Sequence, residues 1–127
     1  MNSTGTGRRI LVADDNRDSA ESLGMLLELA GHRVRLAYDG QETLAAAGEF
    51  LPEILLLDIG LPRMDGFEVA ARLREDPRHD RMLLVAVTGY GTESDRHRGK
   101  AAGFDHHLVK PVDPAALHDL IAKGERT

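Results

Sequence analysis

A short run of large aliphatic residues near the middle of the chain places the strongest constraint on its fold. Residues 54–57 read Ile-Leu-Leu-Leu, and the run ends on Asp58 before a loop that contains Pro62 and Gly66. Four such residues between turn signals predict a strand buried on both faces, and strands of this kind belong to parallel sheets covered by helices. Ligands of open α/β sheets bind at the carboxyl ends of the strands. Asp58 is therefore the first candidate for a reactive side chain.

Four further segments have the composition of strands. Residues 10–13 and 82–87 are apolar, residues 107–109 form a shorter run, and residues 32–38 alternate charged with apolar side chains. The alternation is typical of a strand with one covered face, so we expect residues 32–38 to lie at an edge of the sheet.

Helix signals follow each predicted strand. Side chains that can cap the start of a helix stand at Asn16, Asp39, Asp65, Thr92 and Asp113. Stop signals stand at Gly31, Gly48, Asp76-Pro77 and Gly103. The fourth helix is almost wholly polar over residues 94–100, so we expect it to bury little and to be mobile. The order of elements predicts an α/β fold, a three-layer sandwich of a five-stranded parallel sheet and five helices.

Length and composition limit the organisation of the chain. Its 127 residues fit a single domain, which we place at residues 8–124, between a disordered leader at 1–7 and a tail at 125–127. The net charge of −5 argues against direct contact with nucleic acid. The absence of cysteine excludes disulfides and thiolate metal sites, and we expect a reducing, cytoplasmic location. No apolar run is long enough for a membrane segment.

Polar side chains follow four of the five predicted strands. They are Asp14 and Asp15, then Asp58, Thr88 and Lys110. Three carboxylates at one sheet edge repel one another unless a cation joins them, and oxygen ligands suit Mg²⁺ or Mn²⁺. A carboxylate can also attack phosphorus and form an aspartyl phosphate, and Asp58 is the best placed to do so. A metal ion, the Lys110 ammonium and the Thr88 hydroxyl can then neutralise charge on the transferred group.

These motifs resemble those of the receiver domains of two-component response regulators, including the single-domain chemotaxis regulator. The matching elements are Asp14-Asp15, the pattern Asp-x-x-x-Pro-x-x-Asp-Gly over residues 58–66, Thr88-Gly89 and Lys110-Pro111. The segments around Thr88 and Lys110 are similar to receivers attached to hybrid sensor histidine kinases. The resemblance implies a flavodoxin-like fold with strand order 2-1-3-4-5.

The resemblance also implies a function. Asp58 would accept a phosphoryl group from a phosphohistidine of a sensor kinase or phosphotransfer protein, so that the chain catalyses only its own phosphorylation and dephosphorylation. The metal ligands would be Asp14, Asp15, Asp58 and the Gly60 backbone carbonyl. Thr88 and Lys110 would bind the phosphoryl oxygens, and the Lys110-Pro111 bond would be cis. A downstream protein would bind the fourth helix, fifth strand and fifth helix.

Two residues near the implied site, His107 and Tyr90, differ in their expected roles from the residues named above. His107 stands three residues before Lys110, where the family often has Tyr or Phe, a ring that swings inward when the threonine moves toward the phosphoryl group. We hypothesise that protonation of His107 near neutral pH tunes the output. Tyr90 stands two residues after Thr88, and its bulk is expected to shield the phosphoryl group from water.

Other functions compete with this interpretation. A phosphohydrolase with an aspartyl-phosphate intermediate would be expected to need a second acid two residues after the nucleophile, where this chain has Gly60. A flavin-binding electron carrier is opposed by the absence of Trp and by the acids on the first loop. The six histidines show no recognisable spacing for a zinc site.

Overall fold

The structure is a computed structural model that describes residues 7–89 and 93–123, with the side chains of residues 93–96 left out. Within these residues the chain forms five strands and five α-helices, with one short 3₁₀ helix at Pro77–His79. The strands are β1 Arg9–Ala13, β2 Arg33–Ala37, β3 Ile54–Asp58, β4 Leu83–Thr88 and β5 His106–Val109. The helices are α1 Arg17–Leu29, α2 Gly40–Phe50, α3 Gly66–Arg74, α4 Glu93–Ala102 and α5 Pro114–Lys123.

All strand pairs are parallel, and their order is β2-β1-β3-β4-β5. The predicted fold class and strand order are therefore confirmed. All five residues of β3 are buried, because helices cover both faces of the sheet at its centre. β2 lies at one edge and alternates exposed with half-buried residues, as the charged and apolar alternation of its sequence predicted.

The core consists of two apolar layers, one on each face of the sheet. Alternate residues of β3 enter different layers: Leu55 and Leu57 pack toward α2 and α3, whereas Ile54 and Leu56 pack toward α1 and α5. This two-sided burial fixes the register of β3, because a slip of one residue would exchange the two sets of side chains. Asp58 is therefore held at a defined position at the end of the strand.

Capping side chains start three helices where the sequence predicted them. Asn16 Oδ1 accepts from the Ser19 N–H at 3.1 Å, Asp39 Oδ1 from Glu42 at 2.8 Å, and Asp65 Oδ1 from Glu68 at 2.9 Å. Each bond satisfies a backbone donor that the first turn of a helix leaves without a partner. The predicted cap Thr92 lies outside the described residues, as do residues 1–6 of the expected leader and the tail.

The predicted end of the second helix at Gly48 was wrong. The helix α2 continues through Gly48 to Phe50, and Leu51 ends it with a left-handed φ of 49°. A helix interior tolerates glycine at a cost of about 0.5–1 kcal/mol, so packing of the helix on the sheet can override the signal. The other glycine stops are confirmed, since Gly31 and Gly103 follow α1 and α4 with φ of 97° and 107°.

Candidate functional site

Backbone hydrogen bonds extend the sheet beyond the strand ends and hold the candidate residues in place. The Asp14 N–H donates to Ala37 O at 3.0 Å, and the Lys110 N–H donates to Thr88 O at 2.8 Å. On β3, the Ile59 N–H donates to Val87 O at 3.1 Å. The backbones of Asp14, Ile59 and Lys110 are thus held by the neighbouring strands.

Asp14, Asp58 and Lys110 form a compact charged cluster. Lys110 Nζ lies 3.3 Å from Asp14 Oδ2 and 3.1 Å from Asp58 Oδ2. The two aspartates are buried, with 7% and 8% exposure. Their other oxygens accept from loop backbone, Asp14 Oδ1 from the Asn16 N–H and Asp58 Oδ1 from the Gly60 N–H, both at 2.9 Å. The structure therefore brings together residues from three separate strand ends and orients both carboxylates.

A third carboxylate completes an oxygen cluster of the kind that binds divalent cations. Asp14, Asp15 and Asp58 each offer one oxygen, and these oxygens lie within 4.8 Å of one another. Asp15 is exposed, which leaves one side of the cluster open to water and ligands. Mg²⁺ prefers oxygen ligands and retains several waters, so this donor set fits that ion.

The electrostatics of the cluster also favour an additional cation. Burial raises the pKa of the Asp14 carboxyl, and the charge of Asp58 acts in the same direction, although the Asn16 N–H and Lys110 oppose both. Burial alone would lower the pKa of the Lys110 ammonium, but the hydrogen bond and charge of Asp58, together with Asp14, raise it overall. The single ammonium is therefore shared between two buried carboxylates, and a divalent cation would relieve the remaining negative charge.

The other predicted site residues that the structure describes lie on β4, on β5 or directly after β5. Thr88 is buried at the end of β4, 7% exposed, and the Lys110-Pro111 peptide bond that follows β5 is cis. His107 is half-buried on β5, with its ring 6.1 Å from that of Phe104. Tyr90 lies outside the described residues, so its shielding role stays a prediction.

The structure also contains a cleft beside the cluster that the sequence analysis missed. Its volume is about 550 Å³, and its walls come from α1 and the segment after β5. The lining residues are Asp14, Ser19, Ser22, Leu23, Leu26, Val87, Lys110, Pro111 and Val112. The sequence signal was the surplus of apolar residues on α1, where Leu23 and Leu26 are only half-buried.

Comparisons with known proteins agree with this geometry. The model of the response regulator receiver domain family matches residues 10–122. An uncharacterized 14.6 kDa protein from the sodA1 3′ region of Leptolyngbya boryana is 39% identical over 88% of this chain and 86% of its own length. The response regulator MprA of Mycobacterium ulcerans is 40% identical over 91% of this chain, which spans only 47% of MprA. The chain thus covers about half the length of that relative.

Solved structures share the whole fold. The chemotaxis response regulator CheY4 of Vibrio cholerae superposes with a TM-score of 0.87 at 28% identity, over 94% of this chain and 99% of that one. The receiver domain of the sensor histidine kinase PA1611 of Pseudomonas aeruginosa has a TM-score of 0.84 at 27% identity, over 92% and 96% of the two chains. That structure has a magnesium ion coordinated in its active site cleft. In this chain, none of the described helices is both long and apolar enough to cross a membrane.

Proposed function

The chain belongs to the response regulator receiver domain family, whose members are phosphorylation-dependent switches of two-component signalling, and we propose that Asp58 is its phosphoryl acceptor. The donor is a phosphohistidine of a partner sensor kinase or phosphotransfer protein, and the reaction requires Mg²⁺. One observation carries the proposal: the Asp58 carboxylate stands at the tip of a buried strand, 3.1 Å from Lys110 Nζ and within the three-carboxylate cluster.

The chemistry of the transfer follows from the positions of the side chains. A carboxylate oxygen of Asp58 attacks the phosphorus atom, an O–P bond forms, and the P–N bond to the donor imidazole breaks. The bonding electron pair leaves with the imidazole nitrogen, which then takes up a proton. The Lys110 ammonium and the Thr88 hydroxyl donate to oxygens of the transferred group, where negative charge is concentrated.

The divalent cation belongs among the acidic side chains. Asp14, Asp15, Asp58 and the Gly60 carbonyl would hold it, and a bound Mg²⁺ would supply positive charge that offsets negative charge in the site during the transfer. The cluster of oxygens within 4.8 Å supports the three carboxylates in this role. The Gly60 N–H donates to Asp58 Oδ1, which keeps this loop beside the acceptor residue.

Membership of the family and the exposed surface of the domain together suggest two kinds of partner protein. The phosphoryl donor is a histidine kinase or phosphotransfer protein, and the setting is the cytoplasm. A downstream protein binds the surface of α4, β5 and α5, where the edge strand β5 exposes His106 and 42% of Val109. The net charge of −5 opposes direct contact of this domain with nucleic acid.

His107 is proposed as the switch residue of β5. Its imidazole replaces the Tyr or Phe that the family often has at this position, so protonation near neutral pH would tune partner binding. The test compares the affinity of the wild type and of His107→Phe for the same partner across that pH range. Identical affinities over the range would remove the idea.

The central experiment incubates the protein with acetyl phosphate and Mg²⁺ and then measures intact mass and maps the modified residue. We expect one phosphoryl group on Asp58 in the wild type, and none in Asp58→Ala or without Mg²⁺. Asp18→Asn, at an exposed acid in the first turn of α1, is the matched control and should react as the wild type does. An acid-stable adduct on another residue would redirect the assignment.

A phosphohydrolase is the remaining alternative for the same acceptor. Gly60 supplies no second acid beside Asp58, and a side chain added there would reach Asp58 Oδ1 at about van der Waals distance, 3.6 Å from its Cβ. Repeated turnover of a phosphate ester, beyond one phosphate released for each protein molecule, would favour the hydrolase over the switch.

A further inference from the structure

The side chain of Arg98 joins α4 to the start of α3. Its guanidinium carbon lies 4.2 Å from the centroid of the Phe67 ring, and its Nη2 lies 3.5 Å from Asp65 Oδ2. Asp65 is also the N-cap of α3, since its Oδ1 accepts from the Glu68 N–H. Arg98 therefore contacts both the cap and the first turn of α3.

The start of α3 is packed directly on the backbone next to the phosphoryl acceptor. The Gly66 N–H donates to Ile59 O at 2.9 Å. A Cβ at Gly66 would lie only 2.7 Å from Ile59 Cα and 3.0 Å from Asp58 O. Because no space separates these backbones, a displacement of residues 58–59 must also move Asp65 and Gly66.

Gly99, the next residue of α4, packs closely against β5. A Cβ at Gly99 would lie 2.6 Å from Cε1 and 2.8 Å from Nε2 of His107 on β5. The His107 ring lies near that of Phe104, and Phe104 in turn meets the Phe67 ring edge-on at 6.2 Å. The segment Arg98-Gly99 thus connects the loop after Asp58 with β5.

We propose that Arg98 is a positioning residue that couples the loop carrying Asp65 to helix α4. Modification of Asp58 displaces the Asp58–Ile59 backbone, the start of α3 follows, and Arg98 transmits the shift to α4. This proposal rests on the proposed function, because it assigns a path by which phosphorylation of Asp58 reaches the partner surface. The path runs through α3 and is separate from any signal carried by Thr88 on β4.

The contacts of Arg98 are strong enough to shift the populations of two positions of α4, but too weak to determine whether the domain folds. Arg98 is 63% exposed and Asp65 47%, so the ion pair is weak, and the ring contact adds a further modest attraction. Together they can bias an equilibrium between two positions of α4 by about three- to tenfold. Loss of Arg98 should therefore leave the folded structure intact.

The test measures hydrogen exchange of the amides of residues 97–102, with and without acetyl phosphate and Mg²⁺, while intact mass reports phosphorylation of the same sample. The variant is Arg98→Met, since methionine has a helix propensity close to that of arginine. The control is Arg72→Met on α3, an arginine that is 55% exposed and whose described ion-pair partner is Glu68 on the same helix. Exchange is a suitable readout because it reports local opening free energies.

In the wild type and in Arg72→Met we expect phosphorylation to change the protection of these amides by about three- to tenfold. In Arg98→Met we expect equal phosphorylation and less than a third of that change. A wild-type-sized response in Arg98→Met, or an α4 that does not respond in the phosphorylated wild type, would overturn the coupling and leave Asp58 as acceptor. Absence of phosphate on Asp58 would instead overturn the proposed function and the coupling with it.

Discussion

Gly66 is the position where one added carbon should disturb both stability and function. In Gly66→Ala the new Cβ would stand 2.7 Å from Ile59 Cα, about 0.7 Å short of ordinary van der Waals contact, and 3.0 Å from Asp58 O. Both neighbours are backbone atoms of a buried strand end, so they cannot rotate away as a side chain would. Overpacking of this kind costs about 1–3 kcal/mol.

The better helix propensity of alanine offsets little of that cost, because its gain of about 0.5–1 kcal/mol applies to helix interiors and Gly66 is the first residue of α3. The net expectation is a loss of about 1–3 kcal/mol in the free energy of unfolding, measured by urea denaturation monitored by circular dichroism. The unfolding midpoint temperature should fall by about 3–5 °C per kcal/mol. Phosphorylation of Asp58 by acetyl phosphate should also slow, since α3 can give way only by moving the loop after Asp58.

The matched control is Gly48→Ala, which has the opposite expected sign. Gly48 lies inside α2, and the nearest atom of another described element to an added Cβ would be Arg78 Nη2, at an ordinary 3.6 Å. The helix-propensity gain of about 0.5–1 kcal/mol should therefore appear without offset. A Gly66→Ala protein as stable as the wild type, beside a stabilised Gly48→Ala, would refute the packing argument.

Three further predictions follow from the site and from a buried histidine. Lys110→Met removes the ammonium that Asp14 and Asp58 share, so in the absence of Mg²⁺ it should lower the free energy of unfolding by about 1–2 kcal/mol. Mg²⁺ should then raise the unfolding midpoint temperature of the variant by more than it raises that of the wild type. Equal increases in the two proteins would contradict this prediction. Burial lowers the pKa of His79 despite the nearby Asp76 carboxylate. Below pH 6.5 this histidine therefore takes up a proton more readily in the unfolded chain than in the folded one, so the stability of the fold falls as the pH drops. His79→Gln should reduce that loss of stability between pH 7 and 5 in urea titrations, whereas an identical pH slope would exclude His79 as its source. Tyr90→Ala should speed the loss of phosphate from Asp58, and an unchanged or slower decay would count against shielding by that ring.

Much of the fold could be predicted because its signals are local. Apolar runs at residues 54–57 and 82–87 reflect burial on both faces, and the alternation in β2 reflects an edge position. Caps such as Asp65 act within one helical turn, so three residues suffice to reveal them. The Gly48 signal failed because helix ends also depend on what the helix packs against, which no local pattern contains.

The sequence was sufficient to predict which residues form the candidate site, but not which of them contact one another. Parallel strands must bring their carboxyl ends to one edge, so the sequence alone determined that Asp14, Asp58 and Lys110 would be neighbours. Two contacts follow only from the assembled fold: Lys110 bridges both carboxylates, although Asp14 lies 96 residues away in the chain, and Arg98 of α4 contacts the cap of α3. Sequence patterns reflect the burial and the local hydrogen bonds of a residue within its own strand or helix. These pairs depend instead on the register and packing of elements that are distant in the chain. Their geometry therefore exists only once the whole sheet and its helices are assembled.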